Sequence, residues 1–164
     1  MALPENPFTV LSYVSGPALL TNATALMLLS TSNRFARAID RSRFLADYLE
    51  RGEGPRPKTA TAQELVMAED RVALIARALS RFYFATAVFA MATMISIGGI
   101  VAGEYIGGVG FDVVIAIGLA CGIAGFTALV SGSFSLLLES RLAARSLEME
   151  AKEAKSAIGR ALKE

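Results

Sequence analysis

The chain of 164 residues predicts an all-α integral membrane protein with three transmembrane helices, a cytoplasmic helical hairpin extension and a C-terminal cytoplasmic helix. Two observations lead to that class. All sixteen lysines and arginines fall between Arg34 and Arg81 or between Arg141 and Lys163, and the three most apolar stretches contain none. A hydrophobic content of 54% is also more than the core of one small soluble domain would hide. Because cytoplasmic loops retain Lys and Arg, the same segregation predicts an orientation.

The first apolar stretch, Phe8 to Ser30, has 23 uncharged residues, against about 20 needed to cross a hydrocarbon core. It is the most polar of the three. A cleaved signal peptide is the alternative, but residues 1–7 contain no Lys or Arg and no convincing cleavage site follows, so a retained span is expected. The second stretch, Phe82 to Gly103, and the third, Val113 to Leu138, also reach the spanning length. Between them, Glu104 to Asp112 carries three glycines, two acids and no basic residue, the composition of an outer turn. The N-terminus is then outside, and every basic residue is cytoplasmic. The chain divides into residues 1–33, the outer N-terminus and first span; 34–81, the hairpin; 82–138, the second and third spans; and 139–164, the tail.

Within the cytoplasmic connection, Gly52, Gly54, Pro55 and Pro57 interrupt any helix. Helix one is expected to continue from the first span to about Glu50. Helix two should start near Thr61, capped by its hydroxyl with Glu64 completing a capping box, and run unbroken into the second span. Such a hairpin projects roughly 25 Å at the helical rise. In the tail, Leu147, Ala151, Ala154, Ile158 and Ala161 make a heptad stripe, and Glu148 and Lys152 an i,i+4 ion pair. The stripe suits packing against the hairpin or a coiled coil with another copy.

Ser12, Ser15, Leu19, Asn22, Leu26, Ser30 and Asn33 share one side of the first span. Polar groups there should face protein or water. They are candidate pore-lining residues, with Asn22 near mid-membrane and Leu19 and Leu26 as apolar constrictions. Interhelical hydrogen bonding is the alternative. Pro17 removes one backbone donor and is a candidate kink site. The Asn22-Ala23-Thr24 glycosylation match is discounted by membrane burial.

Gly99 and Gly103, then Gly103 and Gly107, have small-xxx-small spacing, and Gly118, Gly122, Gly125 and Gly132 line a face of the third span. These are helix-packing surfaces, within the chain or between copies. Glu104 and Asp112 bracket the outer turn, where carboxylate rings of an oligomer would concentrate cations. Plain solvation at the surface is the simpler account of them.

The string NRFARAIDRSR, Asn33 to Arg43, places Arg34, Arg37 and Arg41 on one helical face, candidates for lipid headgroup or anion contacts. Salt bridges to Glu64, Glu69 or Asp70 are the alternative. With RVALIARALSRF, Arg71 to Phe82, and the three-span layout, this string resembles a bacterial membrane-protein family, domain of unknown function 2721, over about residues 8–140. The resemblance implies three spans and a bacterial inner-membrane location. It carries no activity, and no residue inherits a role from it.

With no histidine, a lone Cys121 and no charge inside any span, imidazole chemistry, an internal disulfide and an intramembrane ionic site are excluded, so the sequence points to a non-enzyme. No cofactor, metal or nucleic-acid partner is implied; mixed acids and bases do not make a uniformly basic face. Membrane lipid and further copies of the chain are the expected partners, and the leading expectation is a homo-oligomeric ion-conducting pore lined by the first span. The alternative is a structural or accessory subunit that packs against another membrane protein.

Overall fold

The computed structural model describes residues 7–52, 58–102 and 109–161. They form three helices: α1, Pro7–Arg51; α2, Lys58–Ala102; and α3, Val109–Ala161. At 1.5 Å per residue, the 45 residues of α1 and of α2 extend about 68 Å and the 53 of α3 about 80 Å.

α1 continues through Pro17, where Thr21 Oγ1 donates to the proline carbonyl at 2.9 Å. It stops at Gly52, whose φ of 68° puts it in the left-handed region and whose amide donates to the Tyr48 carbonyl at 3.4 Å. This is a glycine cap of the simple left-handed kind, which a side chain would strain. α2 starts at Lys58, so Thr61 lies inside the helix and is 2% exposed rather than capping it. Thr61 therefore does not stand at the start of the helix, and Glu64 pairs with Arg41. The tail does not form a helix of its own: α3 runs unbroken from Val109 through Ala161, because no Gly or Pro cluster interrupts the sequence after Leu138.

Two of the three helices are long and apolar enough to cross a membrane, α2 over Lys58–Gly99 and α3 over Gly110–Met149. Little of their apolar length is covered by the chain, 28% in α2 and 6% in α3. Leu119, Ile123, Phe126, Tyr83, Phe84 and Met94 all face outward. The described part of α1 does not reach the same apolarity.

Buried positions recur every seven residues. On α2 they form the row Thr61, Ala68, Ile75, Phe82 and Phe89 and the row Ala78, Ala85 and Ala92. On α1, Thr24, Thr31 and Leu45 lie in one such row. Side chains at this repeat stay on one face of the helix, so these rows mark the packed faces of α1 and α2.

The contacts divide into two compact units. The first comprises Met1–Thr31 and Leu79–Gly132. Here Phe82 and Phe89 are fully buried, and a Cβ on Gly132 or Gly125 would lie 2.6 Å or 2.7 Å from their rings. Gly118 faces Ile95, and Gly99 faces Val114. The partners run in opposite chain order, so α2 and α3 are antiparallel. Hydroxyls in this unit turn back on their own helices: Thr24, Thr86, Thr93, Ser96 and Thr127 each donate to the carbonyl four residues before.

The second unit comprises Ser32–Ala78 and Ser133–Glu164. Its core contains Leu45, Ala68, Ile75 and Ala78, together with buried Thr61, Ser135 and Glu139.

Candidate functional site

The second unit buries a carboxylate. Glu139 is 4% exposed and stands seven residues beyond Gly132, in the α3 row that contains Gly118 and Gly125. Arg71 from α2 donates to its Oε1 from Nε at 3.0 Å and from Nη2 at 2.9 Å. Arg34 from α1 brings Nη1 to 3.7 Å from Oε2. That distance is an ion pair but too long for a hydrogen bond. Three helices thus meet in one ionic cluster with two positive charges and one negative. A buried carboxylate without such partners would be strongly unfavourable, so the arginines are what allow Glu139 to lie inside.

The three arginines of the α1 face have different fates. Arg41 pairs with Glu64 and lies 5.9 Å above the centroid of the Phe44 ring. Arg34 leans toward Glu139, with its side chain still 45% exposed. Arg37 is exposed and donates from Nε to the Asn33 carbonyl at 3.2 Å. Of the acids expected opposite this face, Glu64 is engaged, whereas Glu69 and Asp70 are exposed. Glu139 is not among the residues that sequence motifs single out. A signal for it is nonetheless present: a heptad row of three glycines that continues directly into an acid.

The polar side of α1 is turned away from the rest of the chain. Leu19 and Leu26 are 68% and 62% exposed, and Asn22, Ser30 and Asn33 are exposed with them. Ser15 is half-buried, and the side chain of Ser12 lies outside the described residues. Thr24 and Thr31, buried to 0% and 1% exposure, mark the side that packs within the chain.

Of the packing glycines, Gly99, Gly118, Gly125 and Gly132 meet side chains of the same chain, whereas a methyl group on Gly122 would find nothing within 4 Å. Gly103 and Glu104 lie outside the described residues. Asp112 is exposed in the first turn of α3, where a negative charge complements the helix dipole. Cys121 is half-buried. In the tail, the packed seam is Ser135, Glu139, Leu142 and Ser146, and Leu147, the first residue of the expected stripe, is 65% exposed. Ala151 is also exposed; the side chains of Ala154, Ile158 and Ala161 lie outside the described residues.

Within the first unit, Arg81 Nη1 donates to the backbone carbonyl of Ser131 at 2.8 Å. This joins α2 and α3 one residue away from the contact of Phe82 with Gly132.

No curated protein and no solved structure matches the chain. The family profile of proteins of unknown function DUF2721 matches residues 14–149, including Asn33 to Arg43, Arg71 to Phe82 and Glu139. The match extends farther into the tail than the resemblance over residues 8–140 suggested and begins later in α1. The chain belongs to the family DUF2721, whose function is unknown.

Proposed function

We propose that the protein is a non-enzymatic homo-oligomer of the bacterial inner membrane, with three spans, its N-terminus outside and its hairpin and tail in the cytoplasm. In this reading α1 is the third span, and its outward face lines a small ion-conducting path between copies. One observation carries the proposal: Asn22, with Leu19 and Leu26 a turn to either side, lies on the face of α1 that its own chain leaves uncovered. An asparagine turned to lipid is unfavourable, and a common axis gives it water or a neighbouring copy. The lower apolarity of α1 has the same explanation. Closed cyclic symmetry is the ordinary form of such assemblies.

Planar bilayers containing the purified protein test this. The reading expects single-channel currents that Asn22→Leu reduces. A monomeric mass in lipid together with silent bilayers overturns it.

A second reading, an accessory subunit, draws support from Phe44, Val66 and Leu147. These are 59%, 58% and 65% exposed in the second unit. They would dock a partner. This reading expects an unrelated chain at fixed stoichiometry after mild-detergent purification; crosslinking that yields only copies of this chain counts against it.

A further inference from the structure

We propose that Arg34 and Arg37 form a binding site for a phosphate-bearing anion, with Glu139 as the built-in competitor for Arg34. The inference rests on the cytoplasmic placement of the hairpin proposed above, which puts these residues directly after the first span.

Three features of the cluster point to an anion. Its charge is unbalanced, since Arg34 and Arg71 face the single carboxylate of Glu139. Arg71 supplies both close hydrogen bonds to that carboxylate, so Glu139 is already held without Arg34. Arg34, at 3.7 Å and with its side chain 45% exposed, contributes charge while its donors lack a hydrogen-bond acceptor among the described residues. One turn along the same face, Arg37 uses only Nε among the described residues, on the Asn33 carbonyl, and its two Nη groups have no acceptor among them. Guanidinium forks match the paired oxygens of a phosphate, and an i,i+3 pair can hold one phosphate between two forks. Arg41 is excluded from the site because Glu64 occupies it.

Two sources could supply that chemistry: the headgroup of an anionic phospholipid or free phosphate. The spans favour the lipid, because a juxtamembrane arginine lies at the depth of the headgroups.

The full chain is reconstituted in nanodiscs of phosphatidylcholine containing phosphatidylglycerol, and the lipid retained on the protein is measured by native mass spectrometry. In a second arm, inorganic phosphate is titrated calorimetrically into the protein in phosphatidylcholine alone. Retention of phosphatidylglycerol is expected, with Arg34→Gln and Arg37→Gln each weakening it about fivefold. Arg41→Gln leaves it unchanged. Glu139→Gln strengthens it by releasing Arg34. The two arginine variants alter exposed side chains, so they remain informative if Glu139→Gln does not fold. Phosphate heat that Arg34→Gln abolishes, without lipid retention, identifies the free ion as the source. Equal losses in Arg41→Gln and Arg34→Gln, or no binding in either arm, overturn the proposal. Silent planar bilayers would leave this site standing, whereas labelling that places residue 37 outside the cell would remove its basis.

Discussion

The first and second units carry one heptad row of α3 into opposite chemistry. In the first, bulk comes from Phe82 and Phe89, which press onto Gly132 and Gly125. In the second, one heptad beyond Gly132, the α3 row holds Glu139; one heptad before Ala78, the α2 row holds Arg71. The repeat sets which way a side chain points, and the residue placed there sets what holds the helices together. Ring-against-backbone contact relies on dispersion and tolerates no added atoms. Charge against charge relies on the hydrogen-bonded pair of Glu139 and Arg71, and it fails when either of those two is removed.

Deleting a partner from the ionic seam should have the largest effect. Glu139→Ala leaves Arg34 and Arg71 facing each other and is expected to destabilise the protein by about 3 kcal/mol, the low end for a buried pair because both arginines retain contact with water. Urea unfolding in micelles measures it. Replacing Glu139 and Arg71 together by leucine should recover part of the loss, and no recovery would mean that the carboxylate is held by something else.

Overfilling the glycine seam comes next. Gly132→Ala puts a methyl 2.6 Å from a ring carbon of Phe82, and a cost of about 1–3 kcal/mol is expected. Adding Phe82→Leu should relieve it. Gly122→Ala, with open space around it, should leave unfolding nearly unchanged; equal costs at the two glycines would remove the contrast between a packed and an unpacked position.

The smallest effect belongs to the exposed ion pair at the end of α1. Arg51 and Asp47 are 2.8 Å apart but 72% and 54% exposed, so Arg51→Gln should change stability by under about 0.5 kcal/mol in the same assay. A larger loss would show that ion pairs of the second unit act as a network rather than singly.

Much of the helical layout is legible in residues 1–164. Gly52 and the prolines after it mark the break because few residues accept a left-handed backbone or follow a helix so abruptly. The polar side of α1 and the glycine face of α3 are legible as faces, since helical periodicity alone groups their members. The pairing of Arg34 with Glu139 is not. Arg34 had acids of the hairpin within plausible reach, and its actual partner comes from α3, whose register against α1 no local pattern specifies. The fate of the tail stripe was hidden for a related reason: Leu147 and Ser146 are neighbours in sequence, yet the packing of α3 makes Ser146 the half-buried one.

Composition and periodicity by themselves predict long helices with three uncharged apolar stretches and Lys and Arg confined to the polar segments beside them, and two of the helices are apolar enough for a bilayer. These properties follow from each segment's own residues, so no other segment needs to be known. Which glycine receives which ring, which arginine holds Glu139, and which face of α1 is left uncovered depend on how the helices align. That alignment is chosen by contacts among all three helices at once, where space vacated by glycine on one must be filled by a side chain from another.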